Sequence, residues 1–192
     1  MALSIPVGAA LWFAVWRYAP VPAGMEALSA RMVFTLKCCA MAVLLCLSMG
    51  IDAVAHERLQ SPAFDPLAGY VTRRLQVNQR YLRNTLEQSV LFAVGLFGLA
   101  AYAADGDAMR AVTASTVTWI VGRLAFWIGY HKSATMRVLG APSLLVGQVM
   151  LIYVAMRIGG EIAGDIGTWA MLAGLLGFEA VLFWFTRERR AT

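Results

Sequence analysis

Arg80, Asn84 and Glu87 follow one another four and three residues apart in the stretch Arg80-Tyr81-Leu82-Arg83-Asn84-Thr85-Leu86-Glu87. That spacing puts a guanidinium, a carboxamide and a carboxylate on one face of a helix. The helix then enters an apolar run. About forty residues on, Arg123, Phe126 and Tyr130 share a face by the same three-four rule, and Arg137 follows seven residues after Tyr130. Ionisable side chains at that depth are expensive in a bilayer, so they are read first as function. In antiparallel neighbours Glu87 and Arg123 fall at similar depth. An ion pair between them is the expected way for each charge to be tolerated.

The elements that must position these residues are membrane helices. Hydrophobic residues make up 60% of the 192-residue chain and charged residues 14%, against about 45–50% and 25% in soluble domains. Long apolar stretches run from 33 to 51, 86 to 104, 111 to 130, 141 to 158 and 167 to 185, each near the roughly 20 residues a helix needs to cross a hydrocarbon core. A shorter one, Ala2 to Trp16, has no preceding Lys or Arg, which argues against a cleaved signal. It reads as an uncleaved span or an interfacial helix with Trp12, Trp16 and Tyr18 as anchors. Residues 69–82 read as a helical extension of the span that follows them. The fold class is all-α, a polytopic helical bundle forming a single membrane domain over 1–192.

Loop charge gives the topology a second test. Lys and Arg number ten in 52–83, 131–140 and 186–192, against four in 17–32, 105–110 and 157–166. The basic side is expected to be cytoplasmic, and the compact loops suit a bacterial inner membrane. Lys37, one turn inside the first long span, is expected to snorkel to the headgroups. The net charge of +5 is explained by these loops rather than by nucleic acid. Cys38, Cys39 and Cys46 share one span without metal-ligand spacing, and His56 and His131 have no clustered partners, so no metal is expected.

The two polar stripes resemble those of the MAPEG family, the membrane-associated proteins in eicosanoid and glutathione metabolism. The resemblance covers roughly 33–158, a four-helix core, with 1–32 and 159–192 as added terminal helices. It implies a homotrimer in the lipid bilayer whose clefts hold glutathione as a thiol co-substrate. Carried over by motif, Arg80, Asn84, Glu87, Arg123 and Tyr130 would bind glutathione, and Arg137 would be catalytic by stabilising its thiolate. The types suit that ligand, because guanidinium forks bind carboxylates and a Glu accepts an ammonium. A free thiol ionises near pH 8.5, and a nearby guanidinium favours the thiolate. The implied activity is a glutathione-dependent transferase or peroxidase acting on a lipophilic electrophile arriving from the bilayer. The alternative is a non-catalytic lipid-binding or scaffolding trimer. Phe126 and Gln88 stand where catalytic relatives carry Tyr, which removes hydroxyls from the site.

Two further features remain outside the resemblance. Glu179 lies inside the last span and reads as a bundle contact, protonated or paired. Ala170, Ala173, Gly174 and Gly177 give the same span the small-residue spacing that permits close helix packing.

Overall fold

The structure is a computed structural model describing residues 3–65, 67 and 69–187. Pro66, Arg189, Arg190 and the start of the first apolar stretch at Ala2 lie outside the described residues. Among those described the regular structure is helical: α1 (Ser4–Tyr18), α2 (Leu28–Leu59), α3 (Arg73–Ala101), α4 (Arg110–Lys132) and α5 (Ala141–Thr186). Four of these, α2 to α5, are long and apolar enough to cross a membrane, α5 together with the turn before it. The chain divides into compact units after Met150.

In the first unit, α3 starts where the sequence provides a cap. Thr72 accepts a hydrogen bond from the Leu75 amide through its side chain, and Thr72 donates in turn to Glu57 Oε1 at 2.9 Å. The helix therefore begins well before the apolar run, and Arg80 and Asn84 are carried on a regular helix. On its inner face Tyr81, Thr85, Phe92 and Leu96 are buried, at spacings close to multiples of the helical turn. Phe92 stacks on Trp119 of α4 with ring centroids 4.6 Å apart. Lipid tails are as apolar as these side chains, so close packing rather than water exclusion holds such contacts.

α2 is not uniform. Residues Val43–Ser48 form a π-helical turn, and within it the Cys46 carbonyl accepts a hydrogen bond from Tyr81 Oη at 3.1 Å. A wide turn misaligns the ordinary backbone ladder, and a side-chain donor from the facing helix takes up a carbonyl there. α2 begins at Leu28, so Lys37 stands nine residues into the helix.

α1 is a bundle helix with its length laid along α4. Trp12 Nε1 donates to Ser115 Oγ at 3.0 Å, while Gly8 packs against the ring of Pro142. Trp12 is thus a helix-helix contact within the bundle, while Trp16 and Tyr18 are exposed. The apolar stretch was legible, but the buried hydroxyl waiting on α4 was not.

The second unit contains a sharp break. Ala163 and Gly164 leave helical geometry, and Gly164 has φ 59 and ψ −146, a conformation open essentially to glycine alone. The chain doubles back so tightly that the backbones of Gly159 and Gly167 touch. The two apolar stretches expected at 141–158 and 167–185 are thus the arms on either side of this break. Gly174 and Gly177 face open space within this chain, and the close approach is made by Gly159 and Gly167. Glu179 is exposed.

Candidate anion-binding cleft

Three glycine contacts set the wall of the site. Gly129 of α4 meets the Met136 carbonyl, Gly140 meets Phe126, and Gly122 meets Ser143, each so closely that a Cβ would displace its neighbour. Ser143 also donates to the Gly140 carbonyl at 2.7 Å. These contacts fold the 3-10 turn Met136–Gly140 down onto the end of α4, and that turn carries Arg137.

Between this turn, α3 and α4 lies an open cleft of about 370 Å³. Five of the six sequence-derived residues line it: Arg80, Asn84, Arg123, Tyr130 and Arg137. Arg80 Nη1 donates to Tyr130 Oη at 3.3 Å, which leaves the phenolic proton available to a ligand. Arg80 and Arg137 are exposed, Asn84 is half-buried and Tyr130 is buried.

Arg123 is the centre of the arrangement and is only 2% exposed. Its Nη2 donates to Asn84 Oδ1 at 3.0 Å and to Thr85 Oγ1 at 2.7 Å. The guanidinium carbon lies 4.6 Å from the Phe126 ring centroid and 5.6 Å from that of Tyr81. These partners are neutral oxygens and ring faces, and among the described residues its Nε has no hydrogen-bond partner. Among the described residues no carboxylate lines the cleft.

Glu87 is the sixth residue, and the structure corrects its expected pairing. It is exposed, and the ion pairs among the described residues are Glu57–Arg74 and Asp107–Arg110. The depth argument holds to within one turn, since Arg123 reaches residues 84 and 85. The azimuth does not: successive helical residues are about 100° apart, so Glu87 points well away from the Thr85 direction that Arg123 takes. Gln88 lines the cleft in its stead. The 80-84-88 spacing of four could have identified it. Thr85 and Tyr81, the buried partners of Arg123, lie on the core stripe of α3 and are not marked by the polar pattern.

Three cationic side chains, a phenol and two carboxamides thus line one cleft at one end of an antiparallel helical bundle. The MAPEG family model matches residues 35–159, nearly two thirds of the chain, and the protein belongs to that family. No curated protein and no solved structure matches the chain. The matched segment takes in every residue of the cleft and stops short of α1 and of the break at Gly164.

Proposed function

We propose that the protein is a membrane-bound glutathione-dependent transferase or peroxidase acting on lipophilic electrophiles. The observation that carries this reading is the cleft's charge: three guanidiniums, one of them buried, with no acidic residue among the described lining residues. A buried cation without a partner favours an anionic ligand strongly, because the ligand supplies the missing charge in a low-dielectric setting. Glutathione brings two carboxylates and a thiol that ionises. Arg80 and Arg123 would take the carboxylates as forks, with the Tyr130 hydroxyl donating alongside them. Arg137, on its exposed turn, would hold the thiolate, the form that attacks. The Gln88 carbonyl is the acceptor within this chain for the ligand's ammonium. Glu87, on the outer face of α3, would serve the same end from a neighbouring copy in a homotrimer. The basic end of the bundle would lie at the cytoplasmic surface of a bacterial inner membrane.

A second reading, a non-catalytic lipid-binding or scaffolding trimer, is favoured by two observations. Phe126 brings no hydroxyl to the cleft, and Glu87 lies outside it. Turnover separates the two readings. The purified protein should conjugate a generic aryl halide at a rate that saturates with glutathione. A rate equal to the uncatalysed background in the assembled protein would discard the enzyme.

A further inference from the structure

A second cleft, of about 670 Å³, opens at the same end of the bundle between α2, α3 and α4. We propose that it binds a phospholipid headgroup carrying both a phosphodiester and a primary ammonium. Its wall is built around Asn78, which is 2% exposed. Asn78 Oδ1 accepts from Trp127 Nε1 at 2.9 Å and lies 2.8 Å from His131 Nε2, while its Nδ2 donates to the Ala53 carbonyl at 3.3 Å. One carboxamide thus ties three helices together and fixes the indole and imidazole rings that line the space.

The charges around this wall are mixed in sign. Arg74 uses its Nε on Glu57 at 3.1 Å, which leaves its terminal amino groups for a phosphate. Lys132, exposed at the end of α4, is a second phosphate donor. Asp52 is exposed, lines the same cleft, and is held by no ion pair among the described residues. A purely anionic headgroup would face Asp52. One with an ammonium beside its phosphate satisfies both signs.

The depth profile decides between a lipid and a soluble phosphate ester. Lys132 and Arg74 stand at helix ends. Met49 and Ile128, also in the lining, lie about 10 and 6 Å deeper than His56 and Lys132 at 1.5 Å per residue. A charged rim above an apolar floor matches the passage from headgroup to acyl chain, with Trp127 in the position favoured by interfacial aromatics.

The test uses the full chain, assembled and delipidated in detergent, and reads bound lipid by native mass spectrometry. Phosphatidylethanolamine should be retained about tenfold better than phosphatidylglycerol, which corresponds to about 1.4 kcal/mol. Asp52→Asn should bring the two lipids to parity, and Lys132→Gln should weaken both. Both side chains are exposed, so the variants should unfold at the wild-type temperature. Equal retention of the two lipids by the wild type would overturn the proposal. So would a preference unchanged in Asp52→Asn, or retention unchanged in Lys132→Gln. Water-soluble glycerophosphoethanolamine binding as tightly as the lipid would also overturn it, by making the ligand a soluble ester. Glutathione binding is not expected to change in either variant.

Discussion

Replacing Arg123 by Met removes a buried cation while keeping much of its volume, and the structure gives the terms that decide the outcome. On one side stands the desolvation of a guanidinium 2% exposed with no carboxylate partner, a cost of several kcal/mol. Its unpartnered Nε adds about 1–3 kcal/mol to that cost. On the other side stand the bonds to Asn84 and Thr85, at about 1.5–3 kcal/mol each for a charged donor. The ring contacts with Phe126 and Tyr81 contribute about 0.5–2 kcal/mol each. These sums are comparable, so Arg123→Met should shift the unfolding free energy without ligand by less than about 2 kcal/mol in either direction. Ligand should behave oppositely. Glutathione at about a hundred times its dissociation constant should stabilise the wild type by about 2.7 kcal/mol and leave the variant unchanged. Unfolding in detergent, followed by tryptophan fluorescence, reads both quantities, since Trp119 is buried in the core. A loss of about 3–5 kcal/mol in the variant without ligand would refute the reasoning, because that is the mark of breaking a pair with a resident counter-charge.

Gly129→Ala would push a methyl group into the Met136 carbonyl, and the cost should be about 1–3 kcal/mol of overpacking. Glutathione affinity should fall with it as the Arg137 turn lifts, and isothermal titration of the variant checks this. A double-mutant cycle of Glu87→Gln with Arg123→Met should give a coupling below about 0.5 kcal/mol in unfolding experiments, the additive behaviour of side chains that do not touch. Trp12→Phe deletes the bond to Ser115 and should lower stability by about 0.6 kcal/mol, the average for interhelical hydrogen bonds in membranes. Glutathione titration should be unaltered in that variant, because Trp12 does not line the cleft.

The helices were legible because a bilayer demands long apolar runs, and the stripe of Arg80 and Asn84 was legible because both periodicities and depths follow from helix geometry. Depth along parallel rods is a matter of counting residues. Rotation about the axis is finer, and two positions beyond Thr85 are enough to make Glu87 an outward-facing side chain instead of a partner of Arg123. The hydrogen-bond partner Thr85 was hidden because a threonine on a core stripe looks like packing. The turn that carries Arg137 was hidden for a different reason: it rests on Gly122, Gly129 and Gly140, which allow backbone and side chains to approach, and no polar pattern records that. α1 was ambiguous because its 15 residues are too few for length alone to decide, and its place is set by Pro142 and Ser115 far along the chain.

Thiolate formation by bound glutathione is the measurement closest to the chemistry assigned to the cleft. The full-length protein in detergent is titrated with glutathione at neutral pH while thiolate absorbance is followed at the ultraviolet edge, beside Arg137→Gln. The wild type should give a saturable thiolate signal, and Arg137→Gln should bind the peptide with the signal strongly reduced. Saturable binding without thiolate in the wild type, or a full signal in the variant, would contradict the role assigned to Arg137. Absence of binding to the assembled wild type would contradict the glutathione cleft itself.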